Sequence, residues 1–346
     1  NKINNKLYEK KNTRVWSIKT RNLWTATMNK KILIKLFEQV FRTRSVEEEI
    51  AKRYKFGKMR CPIHLSIGQE AVPAALSLIM RKKDFAVSSH RAHAHFLAKG
   101  GSLKKMISEI YGKETGCSGG KGGSMHLVDL KSNFMGSTAI VGNTIPVGVG
   151  LGLSSIIKNK NQFSFIFFGD GAIEEGVFYE SVNFAIVKKL PVIFICENNF
   201  YSVYSHLKVR QPKKRRIHKM VSSLGIKSFY NESDDPYVLY KFLEKKIKFN
   251  NLNSGPYFFE FKNYRWREHC GPNFDNDIGY RQKDELKNWI KKDSLIKIKR
   301  RLNFLNEKKI QIIENKIKKE ISDAFRYAEL SKFPNPKEAY KGVYAK

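Results

Sequence analysis

Two short apolar runs, FSFIFFGDGA at 163–172 and LPVIFICENN at 190–199, constrain this chain more than any other feature. Neither alternates apolar with polar residues, so a strand made from either is buried on both faces. That requires a parallel sheet with helices packed on each side. Between the runs, residues 175–189 carry Phe178, Val182, Ala185 and Ile186 at helical spacing. The expected order is strand, Gly-Asp-Gly turn, helix, strand, Asn-Asn turn, within an α/β fold. In such sheets ligands bind outside the carboxyl ends of the strands, which is where Asp170 and Asn199 fall. A carboxylate and an amide oxygen at neighbouring strand ends form a hard-cation site, suited to Mg2+ bridging to phosphate oxygens. The two runs therefore predict a parallel sheet carrying a metal and a diphosphate cofactor at one edge.

Taken alone, Gly-Asp-Gly is also an ordinary turn and Asn-Asn an ordinary loop; their joint placement after two buried strands carries the signal. Further segments occur in a fixed order: HLSIGQEA at 64–71, HRAH at 90–93, GGKGGSMH at 119–126, AIVG at 139–142 and YRWREH at 264–269. Together they resemble the alpha subunit of the thiamine-diphosphate-dependent E1 component of 2-oxo acid dehydrogenases, the group that includes the pyruvate, branched-chain and acetoin enzymes. The similarity runs from about residue 32 to about residue 301.

That resemblance implies a parallel sheet flanked by helices, like the diphosphate-binding domain of transketolase. It also implies thiamine diphosphate and Mg2+ as cofactors. Asp170 and Asn199 would ligate the metal by side-chain oxygen and Tyr201 by its main-chain carbonyl. His90 and Arg91, with the amides of Gly171 and Ala172 at a helix start, would face the diphosphate. The backbone at Ala139 and Val141 would hold the aminopyrimidine ring. His64, His126 and His269 are candidates for proton transfer, because an imidazole can donate or accept near neutral pH. An isolated histidine is ordinarily a hydrogen-bonded loop residue; the matched motifs give these three their roles. The implied activity is oxidative decarboxylation of a pyruvate-like 2-oxo acid, with acyl transfer to the lipoyl domain of an E2 component. An acetoin-type or sugar-pathway thiamine-diphosphate enzyme is the alternative. Three departures stand out: His90 replaces a tyrosine usual in part of the family, Arg267 a histidine, and Cys270 a serine phosphorylated in animal pyruvate enzymes.

Enzymes of this cofactor class need a second α/β domain. After about His269 the chain is Lys-rich and helical, with too few apolar runs for another sheet. A separate E1 beta subunit is therefore expected, in a heterotetramer. The organisation predicted is a basic arm or over-extended start at 1–27, a cofactor domain at 28–301 and a helical tail at 302–346. The helices expected are 28–56, with Leu33, Leu36, Phe37 and Val40 on one face, 69–80, 102–111 capped by Ser102, one starting at Pro146, and 237–249; residues 257–261 read as a strand.

The formal net charge of +33 invites a nucleic-acid reading, but the lysines are scattered and no recognition motif accompanies them. No apolar run approaches the roughly 18 residues of a membrane span. Four separated cysteines without a Cys-x-x-Cys pair point to a reducing compartment, a bacterial cytoplasm or alternatively a mitochondrial matrix. His90, His93 and His95 could be drawn as a zinc cluster but lack a further ligand in register. GVGLG at 148–152 follows a turn and has Leu153 where a dinucleotide loop needs glycine. GGKG at 119–122 has Thr115 where a phosphate loop needs its first glycine.

Overall fold

The computed structural model describes residues 30–249 and 255–342. The expected helix start at Met28 and the arm at 1–27 lie outside them. Strand β3 (Ser164–Gly169) and strand β4 (Val192–Asn198) pair in parallel at the centre of a six-stranded sheet. Phe165, Phe167, Ile193 and Ile195 enter one core cluster, while Ile166, Phe168, Val192 and Phe194 enter a second on the opposite face. This two-sided burial is why the runs do not alternate.

Four more strands complete the sheet: β1 (Phe85–Ser88), β2 (Phe134–Ser137), β7 (Lys227–Asn231) and β8 (Tyr257–Lys262). The order is β2-β1-β3-β4-β8-β7 with every pair parallel. After β1 the chain steps outward to β2 and then returns to β3 on the other side of β1. The strand order therefore reverses between β1 and β3, opening a crevice at their carboxyl ends. A two-stranded hairpin, β5 (Tyr201–Ser202) with β6 (Ser205–His206), follows the tip of β4.

The Lys30–Tyr54 helix buries Leu33, Leu36, Phe37 and Val40 as its spacing predicts. It shares one core cluster with the Leu103–Ile110 and Glu307–Leu330 helices. Ser102 caps the first turn of Leu103–Ile110, its hydroxyl accepting from the Lys105 amide at 3.4 Å. The expected 69–80 helix is shorter, Ala71–Ser77, and the helix placed at Pro146 begins at Thr144, with proline in its first turn.

On the opposite face lie the Thr144–Ile157 and Gly176–Val187 helices. Gly148 and Gly152 let the first approach the sheet: an added Cβ would sit 2.4 Å from Ile166 Cγ1 and 2.5 Å from Val192 Cγ2 respectively. Gly150 faces open space. Both helices also carry apolar residues outward, with Val147 50%, Val187 66% and Ile157 74% exposed. A helix apolar on all sides normally lies inside a structure.

Candidate active site

The crevice between the tips of β1 and β3 holds a cavity of about 180 Å³, lined in part by His64, His90, Arg91, Asp170, Asn199 and His269. Ala139, Val141, Gly171, Ala172 and Tyr201 line it too. Eleven of the twelve residues singled out from sequence thus meet in one place. His126 does not: its side chain is exposed and lies outside the cavity lining. A larger cavity, about 710 Å³, lies between Phe56–Pro62, Glu109–Lys113 and Gly120–Met125. Met125 borders both, but the strand tips and their oxygen donors face only the smaller one.

Asp170 is the first residue past β3 and is buried. The Asn199 amide donates to Asp170 Oδ1 at 3.3 Å, which fixes the two strand tips to each other. Asn199 Oδ1 in turn accepts from the Tyr201 amide at 3.0 Å, the short loop that a side-chain amide commonly closes. The Tyr201 hydroxyl donates to Glu285 at 2.7 Å, so its side chain is already committed. Residues Asp170–Glu174 form a 3₁₀ turn, and the α-helix starts only at Gly176. Gly171 and Ala172 therefore sit in that turn and not at the helix start expected from sequence.

Burial raises the carboxyl pKa of Asp170, and Arg210 opposes the rise. The Arg210 guanidinium pairs with Asp170 and also with Glu174, at 2.5 Å, while its Nε donates to the Ser205 carbonyl at 3.0 Å.

At the tip of β1, Arg91 is buried and donates to two carbonyls, Leu65 O at 2.7 Å and His269 O at 3.0 Å. Desolvation, with help from Arg265, pushes its guanidinium down to about 9. The rings of His64, His90 and His269 pack edge-on against one another, with centroids 4.7, 5.0 and 5.3 Å apart. Burial first, and the Arg91 charge second, lower His90 to about 4 and His269 to about 3, and lower His64 further. All three are therefore neutral at physiological pH. His64 Nδ1 is buried with no hydrogen-bond partner.

Two other histidines of the HRAHAH segment are held elsewhere. His95 sits between Ser88 at 2.8 Å and Glu197 at 2.6 Å, and Glu197 accepts from Asn263 at 3.1 Å. His93 sits between Glu47 at 3.2 Å and Ser124 at 2.8 Å. No zinc cluster of His90, His93 and His95 forms, because the three rings take different partners. The Gly-rich loop is no phosphate cradle either: the Glu109 carboxylate accepts from the amides of Ser118, Gly120 and Gly122 at 2.6–3.0 Å.

Sequence reasoning missed Arg210 and Glu197, and weighed His95 only as part of the zinc set it rejected. Glu197 could have been found, since it ends the same apolar run as Asn199. Arg210 lies in a basic stretch that offers no local signal.

A parallel sheet with a buried guanidinium and a buried carboxylate lining one cavity at its switch point defines an α/β protein with a candidate ligand-binding crevice there. Comparison with known proteins narrows that class. A family model described as "Dehydrogenase E1 component" matches residues 38–337. The pyruvate dehydrogenase E1 component subunit alpha of Rickettsia bellii (strain RML369-C) is 35% identical over 314 residues, covering 90% of this chain and 95% of the relative. That of Porphyra purpurea is 30% identical over 329 residues, covering 92% and 94%. The chloroplastic subunit alpha-3 of Arabidopsis thaliana is 31% identical over 322 residues, covering 90% and 74%. The chain belongs to the dehydrogenase E1 component family, the thiamine-diphosphate-dependent 2-oxo acid dehydrogenases, on its alpha-subunit branch. Among the described residues no helix is long and apolar enough to cross a membrane.

Proposed function

We propose that this chain is the alpha subunit of a heteromeric E1 that oxidatively decarboxylates pyruvate and passes the acyl group to a lipoyl group of E2. The carrying observation is the meeting of Asp170 and Asn199 over one cavity with Arg91. The donor set fits Mg2+ with a diphosphate: hard oxygens beside a buried guanidinium, and no thiolate.

Asp170 and Asn199 side chains and the Tyr201 carbonyl are assigned to the metal. Arg91, His90, Gly171 and Ala172 are assigned to the diphosphate, and the backbone at Ala139 and Val141 to the aminopyrimidine. Thiamine diphosphate, when bound, supplies the nucleophilic carbon and the electron sink for decarboxylation. The protein's part is positioning and proton handling. His64 Nδ1, buried and unpartnered, is free to bond a ligand. His269 is held in place by the Arg91 bond to its carbonyl. Both rings are neutral, so each can donate or accept a hydrogen bond at the reacting groups. His126, on an exposed loop, takes its role in the assembled enzyme, where a second subunit closes over that loop.

The outward apolar faces of the Thr144–Ile157 and Gly176–Val187 helices support a beta subunit in an α2β2 assembly. Free cysteines and the Rickettsia relatives support a bacterial cytoplasm. Co-purification with a beta subunit, followed by pyruvate-dependent reduction of an artificial electron acceptor, tests the reading. The pair should turn over only with thiamine diphosphate and Mg2+, and this chain alone should not. Turnover by the isolated chain, or cofactor-independent turnover by the pair, sinks it.

A further inference from the structure

We infer that Arg215 and Arg216 belong to a second ligand site, apart from the cofactor crevice, for a phosphate ester that carries a flat ring, such as a nucleoside diphosphate. They border a cavity of about 370 Å³ whose walls include Phe200, His218, Tyr230 and Lys262. That volume lies in the range of small-molecule pockets. The cavity shares no lining residue with the crevice at Asp170. After β4 the two take alternate residues: Asn198 and Phe200 line this one, Asn199 and Tyr201 the other.

Most of the lysines are spread along the chain, but KKRR at 213–216 sets four cations in a row. Arg215 and Arg216 also border an open cavity of about 600 Å³, lined with Lys214 and Lys219 and by no acidic residue. Two carboxylates line the inner cavity, and both are committed. Glu260 is buried and accepts from Asn198 Nδ2 at 2.8 Å and from the His218 amide and Nδ1, each at 3.0 Å. Glu232 accepts from the Tyr230 hydroxyl at 3.0 Å and lies 3.7 Å from Lys262 Nζ. Among the described residues, neither Arg215 nor Arg216 has a carboxylate partner. Two adjacent guanidiniums without an acid match the oxygens of a phosphate, which such planar forks bind two at a time.

The frame around them is fixed. The Arg215 amide donates to the Pro212 carbonyl at 2.8 Å, and the Arg216 carbonyl accepts from the Met220 amide at 2.9 Å as the Ile217–Ser222 helix begins. The Ser228 hydroxyl donates to the His218 carbonyl at 2.7 Å, tying that helix to β7. The His218 and Tyr230 rings stack with centroids 4.9 Å apart and planes 22° from parallel. A wall of stacked rings beside unpaired cations is how proteins hold a base and its phosphates without reading sequence. Groups already held in place lose little freedom when the ligand binds.

The test is a calorimetric titration of the purified full chain with ADP, without Mg2+ or thiamine diphosphate. Saturation at one ADP per chain is expected. Asp170→Asn, which removes the oxygen site of the proposed function, should leave it unchanged, so the two readings fail separately. The Arg215→Gln, Arg216→Gln double variant should weaken binding by about tenfold or more. Tyr230→Ala should weaken it by roughly 5- to 100-fold, whereas Tyr230→Phe, which keeps the ring, should retain it. Inorganic pyrophosphate should bind more weakly than ADP and ignore Tyr230→Ala. Far-UV circular dichroism checks that each variant folds. Absence of saturation by ADP overturns the inference, including the case in which a single-stranded oligonucleotide binds instead. So does full ADP affinity in the folded double-arginine variant, loss of binding in Asp170→Asn, or pyrophosphate binding as tightly as ADP.

Discussion

Replacing Gly148 or Gly150 by alanine gives two variants of identical chemistry, two residues apart in one helix, with opposite expected outcomes. Alanine in place of a helical glycine is worth about 1 kcal/mol, a gain common to both that drops out of their difference. The new methyl of Gly150→Ala meets nothing within 4 Å, so that variant should be stabilised by about 0.5–1 kcal/mol. At Gly148 the same atom lands 2.4 Å from Ile166 Cγ1, 2.6 Å from its Cδ1 and 2.9 Å from Val87 Cγ2. Ile166 and Val87 are both fully buried on adjacent central strands, so neither can step aside. Overpacking of this kind costs about 1–3 kcal/mol, which is the expected separation between the variants. Urea unfolding followed by tryptophan fluorescence should order the midpoints Gly150→Ala, parent, Gly148→Ala. With a slope of about 3 kcal/mol per molar for a chain of this size, the two variants should differ by roughly 0.3–1 M. Equal midpoints, or a more stable Gly148→Ala, would show that this helix does not rest on the sheet through its glycines.

Val147→Asp and Val187→Asp alter residues already facing solvent, so each should leave the fold of the chain intact by circular dichroism while blocking co-purification with a beta subunit; retained assembly refutes the interface. Asp170→Asn should abolish saturable calorimetric binding of thiamine diphosphate with Mg2+ in the assembled enzyme, and undiminished binding would remove Asp170 from the cation site. The depressed imidazoles predict acid sensitivity. His90 and His269 titrate near 4 and 3 when folded but near 6.5 when unfolded. The unfolded chain thus binds more protons below about pH 6.5, and the stability these groups contribute above that value is lost as pH falls toward 4 and then 3. Each can account for up to about 2 kcal/mol between pH 6.5 and 5. A His90→Asn, His269→Asn double variant should show a shallower fall in urea midpoint over that interval than the parent; an unchanged fall refutes the assignment.

The central strands were legible because both faces of β3 and β4 are buried, which leaves a compositional trace. Strands β1 and β2 left none. Each has four residues, and β2 includes a glycine; they exist because β1 pairs with β3 and β2 with β1, which no local window records. Strand β7 hid for another reason: as an edge strand it keeps Lys227, Tyr230 and other polar or half-exposed positions. In the site, Asp170 and Asn199 could be read because each terminates an apolar run. Arg210 is brought to Asp170 from 40 positions away by the β5–β6 hairpin and the turn after it. The three-imidazole cluster was equally hidden, since its members lie far apart in sequence and the tempting local set of His90, His93 and His95 points to three different partners.

The Arg210–Asp170 pair bears on the order in which ligands arrive. Before loading, Arg210 already holds the Asp170 carboxylate and Arg91 adds a second positive charge to the lining, so a lone dication would lack a free negative group at Asp170 to receive it. A pyrophosphate group carries that missing charge. Metal and coenzyme should therefore load as a single complex, each raising the other's affinity, and dialysis against a chelator should strip both together.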